Sequence, residues 1–162
     1  MPETDYFLGV PNQQLVHRFI AKFARAEYAI KRSGFVSSHP DRADPEWDRF
    51  ASKYEKLFAE APRSAEVDEA VRFLLESPPR KQIAPDRRLG WTDSQRTNEP
   101  ELKWLLLLVR RARNNLFHGG KYPTGPVIDE SRSIALLQAA LTLLEHVMLL
   151  DRTVSSFFEA PT

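Results

Sequence analysis

Proline residues divide this sequence into segments of helix length. Most of the 12 prolines stand at such divisions, namely Pro11, Pro40, Pro45, Pro62, Pro78, Pro79, Pro85, Pro100, Pro123 and Pro126. Because proline lacks an amide hydrogen and its ring clashes with the preceding helical turn, it marks where helices begin or end. Between the prolines, apolar residues recur at helical spacing, and no apolar–polar alternation is long enough to predict a sheet. We therefore expect an all-α protein, an up-and-down bundle of four to five helices.

The expected helices cover most of the chain. Their predicted bounds are about 11–32, 45–61, 65–77, 102–118 and 129–150, with Ser64 as the N-cap of the third helix. A chain of 162 residues suits a single domain, residues 1–162, which is large enough to bury a stable core. Residues 77–100 are expected to form a long basic loop within that domain.

Composition limits the compartment and the class of partner. The absence of cysteine excludes disulfides and thiolate metal sites, which is typical of a reducing cytoplasm. Nothing near residue 1 resembles a signal peptide, and no apolar run approaches the roughly 20 residues needed to cross a bilayer. We expect a soluble cytoplasmic protein without membrane contact. The net charge is only +1, so any affinity for nucleic acid must come from local clusters.

The fourth predicted helix changes character along its length. Residues 102–121 read LKWLLLLVRRARNNLFHGGK, in which apolar residues give way to arginine, asparagine and histidine. Glycines 119 and 120 tolerate a left-handed backbone, so His118 is expected in the last helical turn.

This helix is expected to have two faces. One is an apolar stripe of Leu105, Leu108, Val109, Ala112 and Leu116, and the other carries Trp104, Leu107, Arg111, Asn114 and His118. We interpret the second face as an interface built around a polar site. The alternative is that cations in the last turn only complement the helix dipole.

A carboxylate interrupts the apolar stripe of the first helix. That predicted stripe consists of Val16, Ile20, Phe23, Ala24, Glu27 and Ile30. A buried carboxylate without a partner costs several kcal/mol, so a cation should meet Glu27. Lys31, one turn further on, is the local candidate. The other candidates are Arg113 and Arg111 of the fourth helix.

The long basic loop concentrates positive charge. It contains Arg80, Lys81, Arg87 and Arg88 together with Trp91, residue types that can bind a phosphate backbone and stack a base. The alternative is a solvated charged segment anchored by one tryptophan.

The segment from Arg113 to His118, RNNLFH, resembles the R-x(4–6)-H signature of the HEPN superfamily, in the form where a polar residue follows the arginine. The aromatic-rich first helix, the Gly-Gly-Lys ending at Lys121 and the leucine-rich last helix also resemble small stand-alone bacterial HEPN proteins. The resemblance implies a metal-independent endoribonuclease without cofactor, acting as a toxin or antiviral effector. It further implies a homodimer with a composite site, an RNA substrate and a cognate antitoxin as a candidate partner.

Within such a site the residue types suggest roles. His118 is expected to take the proton of a ribose 2′-hydroxyl, and Arg113 to bind the phosphate, with Asn114 orienting either group. On an ideal helix Arg113 and His118 lie about 140° apart, whereas Arg111 lies on the histidine face. Arg111 is therefore the second candidate, with Asn115 as a supporting residue and Lys121 as an RNA contact.

Two further functions remain open. A HEPN-like module that binds nucleotide or RNA without cutting is compatible with the same residues, as is a helical dimer used only for protein interaction.

Overall fold

The structure, a computed structural model, describes residues 12–117 and 130–159. These residues form six α-helices: α1 (Gln13–Arg32), α2 (Trp47–Glu60), α3 (Ala65–Glu76), α4 (Glu101–Phe117), α5 (Glu130–Met148) and α6 (Arg152–Glu159). The expected all-α helical bundle is confirmed. The described part has one helix more than the four to five expected, because the residues after α5 form the short α6.

Local side-chain contacts fix several helix ends. The side chain of Asn12 accepts a hydrogen bond from the Leu15 amide at 3.1 Å. Ser64, the expected cap of α3, accepts one from the Val67 amide at 3.2 Å. The start of α4 is capped from another helix, because both carboxylate oxygens of Glu55 accept from the Leu102 amide, at 2.9 and 3.1 Å. This contact orients α4 against α2.

Helix α4 is central in the bundle. It packs against α2, α3 and α5, while α1 packs against α5 and α6. Helix α4 is buried on most of its sides, and Trp104 is only 5% exposed. The expected assignment of Trp104 to an outward face is therefore wrong, since the chain itself covers this ring. Within the described ranges, no helix has the length and apolar character needed to cross a bilayer.

The buried face of α1 differs from the expected stripe. Ala24 is exposed, whereas Phe19 and Ala26 are fully buried. The physical reason is that α1 packs between α5 and α6, which shifts its apolar face around the helix axis. Val16, Phe23 and other stripe residues remain in the core; the buried residues of α1 are Val16, Phe19, Phe23, Ala26, Ala29 and Ile30.

The expected long loop contains a short antiparallel hairpin. Strand β1 (Lys81–Ile83) pairs with β2 (Gly90–Thr92), with Gln82 opposite Trp91. The turn between the strands places Asp86 and Arg87 in the left-handed region, with φ of 50° and 61°. The hairpin stands beside the second half of α4 and forms one wall of the candidate site.

Candidate nucleic-acid interface

A groove of about 650 Å³ lies between α4, α1, the start of α2 and strand β1. It is lined by Glu27, Pro45, Trp47, Lys81, Gln82, Leu107, Arg110, Arg111, Arg113, Asn114 and Asn115. We call it the arginine groove. Four cationic side chains face one carboxylate in this lining, so the groove carries a local positive charge that the net charge of +1 does not reveal.

Glu27 and Arg113 meet across the groove. Nη2 of Arg113 lies 3.5 Å from Oε1 of Glu27, and the same oxygen accepts a hydrogen bond from Nε1 of Trp47 at 3.4 Å. The expected pairing of Glu27 with an arginine of α4 is confirmed. The local alternative, Lys31, makes no ion pair with Glu27 among the described residues.

Aromatic rings hold the Arg113 guanidinium from other sides. Its carbon lies 5.0 Å from the centroid of the Phe23 ring and 6.0 Å from that of Phe117. The Nε atom of Arg113 is buried and has no hydrogen-bond partner within the described residues. The side chain is 29% exposed, so a ligand can still reach the guanidinium.

Arg111 is fixed by the loop after the hairpin. Its Nη1 donates to Oγ of Ser94 at 2.6 Å, and its guanidinium carbon lies 6.0 Å from the centroid of the Trp104 ring. Burial, with a further contribution from the charge of Arg110, lowers the pKa of Arg111. No carboxylate of the described residues lies within 4.0 Å of Arg111. Among the described residues, its charge therefore has no ion-pair partner.

Arg110 belongs to the same groove but was missed by the sequence analysis. Its Nη2 donates to Oδ1 of Asp48 at 3.0 Å, and Nζ of Lys103 lies 3.5 Å from the other oxygen of that carboxylate. Asp48 thus compensates much of the charge of Arg110. The continuous RRAR run was the available signal, but the position of Asp48 on α2 could not be read from it.

The two asparagines have different surroundings. Asn114 is exposed and lines the groove, where its amide is available to a ligand. Asn115 is 8% exposed, and its Nδ2 donates to the carbonyl oxygen of Arg80 at 3.0 Å. Asn115 therefore attaches the hairpin to α4 and so supports one wall of the groove.

The basic residues of the loop lie in different places, and only some of them are near the arginine groove. Lys81 lines the arginine groove, whereas Nε of Arg80 donates to Oδ1 of Asp93 at 3.1 Å. Arg87 and Arg88 are exposed at the turn of the hairpin, and Trp91 is half-buried on β2. Lys81 is thus the one member of this set that joins the cations of α4.

Two candidate residues, His118 and Lys121, lie outside the described residues. The distance between His118 and either arginine therefore stays a prediction. Over residues 12–117 and 130–159, no three histidine, aspartate or glutamate side chains are grouped so as to hold a metal ion.

Comparison of the chain with protein-family models, with curated proteins and with solved structures found no match.

The described side chains define what the groove can bind. Guanidinium groups form paired hydrogen bonds to phosphate oxygens, and the amide of Asn114 can add a further donor. Because Asp48 and Glu27 engage Arg110 and Arg113, the strongest free positive charge lies at Arg111 and Lys81. The groove is a candidate phosphate-binding site.

Proposed function

We propose that this protein is a metal-independent endoribonuclease of the HEPN type, acting in the cytoplasm as a toxin or antiviral effector. The observation that carries the proposal is the Arg113 guanidinium, held by Glu27 in a groove shared with Arg111 and Asn114. In the sequence, His118 follows this arginine by five residues. The groove supports phosphate binding, and the histidine supplies the missing base.

The proposed reaction needs no group beyond these side chains. His118 takes the proton of a ribose 2′-hydroxyl, and the 2′-oxygen attacks the adjacent phosphorus. Arg113 stabilises the charge that develops on the phosphate oxygens, with Arg111 as the second candidate for this contact. The bond from phosphorus to the 5′-oxygen breaks, and that oxygen takes a proton from the protonated histidine. The products are a 2′,3′-cyclic phosphate and a 5′-hydroxyl.

The proposed site is composite and uses two copies of the chain. Paired about a two-fold axis, each copy contributes one arginine groove and one histidine. Trp104 contributes nothing to that pairing, because it is already covered within one chain. The half-buried Leu107 in the groove remains available for it. The mass of the protein in solution, measured by light scattering during size exclusion, tests the dimer.

Cleavage of RNA in a chelator tests the activity. We expect the purified protein to cleave total RNA in EDTA, leaving 2′,3′-cyclic phosphate ends. His118→Ala and Arg113→Ala should each abolish cleavage while the circular dichroism spectrum is unchanged. His17→Ala and Arg72→Ala remove exposed residues of α1 and α3 and should cleave normally. Cleavage that is equal in all variants, or absent from the parent, contradicts the proposal.

The proposed role as a toxin has its own test. Induced expression of the parent should arrest bacterial growth, and expression of His118→Ala should not. Normal growth of cells that express the parent, at the same level as the variant, contradicts the toxin role. If arrest occurs, genomic neighbours are the candidates for an antitoxin.

Binding without cleavage is the second candidate function. It is favoured by the groove lining, in which the one carboxylate, Glu27, already accepts contacts from Arg113 and Trp47. The described lining therefore contains cations and amides but no free base. A parent protein that binds RNA in an Arg113-dependent manner and leaves it intact would establish this function.

A further inference from the structure

A second depression adjoins the arginine groove on the side of the hairpin. It has a volume of about 400 Å³, and its lining includes Thr92, Asp93, Ser94, Gln95 and Trp104. The one carboxylate of this lining, Asp93, pairs with Nε of Arg80 at 3.1 Å. We call it the hairpin cleft. Lys81 and Arg111 line both the hairpin cleft and the arginine groove, so these two side chains stand where the depressions meet.

Within the described ranges, the two cations at this junction form no ion pair, and Asp93 of the cleft lining pairs with Arg80 instead. Arg110 and Arg113 pair with Asp48 and Glu27, at 3.0 and 3.5 Å. Neither Lys81 nor Arg111 has a carboxylate within 4.0 Å among the described residues. Arg111 is also partly buried, and a desolvated cation without a counter-ion attracts an anion more strongly than an exposed one.

The Arg111 side chain is already in position for a ligand. The Ser94 hydroxyl accepts a hydrogen bond from Nη1 at 2.6 Å, and the indole of Trp104 supports the guanidinium plane. A side chain that is held before binding loses little conformational entropy when the ligand arrives.

We propose that Lys81 and Arg111 form a second phosphate site that binds the phosphodiester next to the one at Arg113, so that the ligand is a single-stranded oligonucleotide. The proposal rests on the proposed function in placing the reacting phosphate at Arg113. The strand then passes from the arginine groove to the hairpin cleft, and one phosphate lies at their junction.

The two depressions favour an extended ligand over a single anion. Both volumes fall within the range of sites that hold small organic molecules. The hairpin cleft presents the hydroxyl of Thr92 and the amide of Gln95, which can hydrogen-bond to a sugar or a base edge. A free phosphate ion would use the junction but neither depression.

Binding of uncleavable oligonucleotides tests the second site. The probes are fluorescein-labelled 2′-O-methyl RNAs of two, three and four nucleotides, whose blocked 2′-oxygen prevents the proposed cleavage. We expect the parent's affinity, measured by fluorescence anisotropy, to rise most from the dinucleotide to the trinucleotide, which adds the second phosphodiester. Lys81→Ala should lose most of that increase and roughly fivefold in affinity for the tetranucleotide, with a salt dependence weaker by about 0.7 in log–log slope.

Matched variants distinguish an effect of the junction residues from the effect of removing any positive charge. Lys56→Ala removes an exposed lysine of α2 that lines neither depression and should bind like the parent. Ser94→Ala frees Arg111 and should weaken tetranucleotide binding more than dinucleotide binding. Circular dichroism confirms that each variant is folded.

The outcomes distinguish this proposal from the proposed activity. If Lys81→Ala binds as the parent does, or if added phosphodiesters bring no affinity, the second site is overturned even when RNA is cleaved. If length-dependent binding needs Lys81 but natural RNA stays intact, the second site stands and the nuclease proposal falls.

DNA of the same sequence should bind comparably, because the contacts are to phosphates. Duplex RNA that binds as tightly as the single strand overturns the proposal.

Discussion

At the scale of single residues, Glu27 limits how Arg113 can move. Its carboxylate accepts from the indole of Trp47 and pairs with the Arg113 guanidinium, while both partners in the ion pair are about one quarter exposed, at 26% and 29%. Such a pair is partly screened by water and contributes at most about 1 kcal/mol to stability. Its effect on the position and charge of Arg113 is therefore more important than its effect on folding.

Glu27→Gln should separate binding from cleavage. The amide still accepts a hydrogen bond, but it no longer compensates the arginine charge, so we expect a lower KM for RNA. Arg113 is held less firmly, so kcat should fall about tenfold, equivalent to about 1.4 kcal/mol of transition-state stabilisation. Steady-state kinetics with a fluorogenic oligonucleotide measures both parameters. Glu69→Gln, which breaks an exposed pair with Arg72, is the control, and equal loss in both variants contradicts the assignment.

His146 is expected to make stability depend on pH. Its ring packs edge-on against Phe58 with centroids 6.1 Å apart, and Nε2 is buried without a partner among the described residues. Burial, and then the charge of Arg63, lower the pKa of His146, against an opposing effect of Asp68. The unfolded chain therefore binds a proton at a pH where the folded protein does not.

The free energy of unfolding should accordingly decrease as the pH falls below about 6.5, the ordinary pKa of histidine. Urea denaturation at about pH 7.5 and about pH 5 measures the difference. His146→Phe should reduce that difference, because the position no longer titrates. His17→Ala removes an exposed histidine and should leave the difference unchanged. A His146→Phe protein with the parental pH dependence contradicts this explanation.

At the scale of elements, the hairpin depends on α4 for its position. Asn115 donates to the Arg80 carbonyl, Arg111 donates to Ser94, and the Ser94 hydroxyl donates to the Pro79 carbonyl. Two three-residue strands have little stability of their own. Side chains of α4 therefore determine where this wall of the groove stands.

Asn115→Ala should loosen the hairpin selectively. The substitution leaves the partly buried Arg80 carbonyl without its donor, which costs about 1 kcal/mol. We expect faster amide hydrogen exchange in residues 80–95, measured by mass spectrometry, while α1 and α5 exchange as in the parent. Asn114→Ala changes the exposed neighbour and should leave the exchange of the hairpin unaltered. Uniformly faster exchange throughout the protein would contradict a local role for Asn115.

Several elements could be predicted from the sequence because their signals are local. Ser64 and Pro78 bound α3 through capping and through the missing amide hydrogen, and these effects reach only a few residues. The pairing of Glu27 with Arg113 was predictable for another reason. A carboxylate among apolar positions demands a cation, and α4 is rich in arginine.

Other features depend on contacts that the sequence does not display. The hairpin was missed because its strands are too short to show alternation, and non-glycine residues, Asp86 and Arg87, form its left-handed turn. The burial of Trp104 and the hydrogen bond that Arg111 donates to Ser94 both depend on residues distant in the chain. Periodicity within one helix cannot indicate which loop will lie over it.

At the scale of the whole molecule, Asp151 connects α2 to the start of α6. Its carboxylate accepts from the Tyr54 hydroxyl of α2 and caps α6 by accepting from the amides of Thr153 and Val154, at 2.7 and 2.9 Å. Helix α6 in turn covers α1, where Nε of Arg25 donates to the Phe158 carbonyl at 3.0 Å. The bundle therefore depends on this carboxylate for the packing of its last helix.

Asp151→Ala should destabilise the protein by about 2–3 kcal/mol, since it removes the cap of α6 and the acceptor of Tyr54 together. Tyr54→Phe leaves the cap intact and should cost about 1 kcal/mol. Denaturation in urea measures both. If the two variants are equally stable, the cap contributes nothing and the explanation fails.

The same carboxylate should make the parent sensitive to acid. Burial alone would raise the pKa of Asp151, but hydrogen bonds from Tyr54, Val154 and Thr153 bring it below its ordinary value. Its stabilising contribution is complete above about pH 4 and is lost as the pH falls further. Asp151→Ala should show a smaller loss of stability over that acid range than the parent.

The position of Arg111 above Trp104 also gives the protein a built-in optical reporter. Trp47 lines the arginine groove and Trp104 lines the hairpin cleft, so two of the three indoles adjoin the proposed path of the strand. A phosphate that binds the guanidinium beside the Trp104 ring changes the electric field at that ring and hence its emission. Titration of an unlabelled oligonucleotide into Trp91→Phe should therefore change the intensity of the native fluorescence, and arrival of the ligand can be timed by stopped flow without any attached dye.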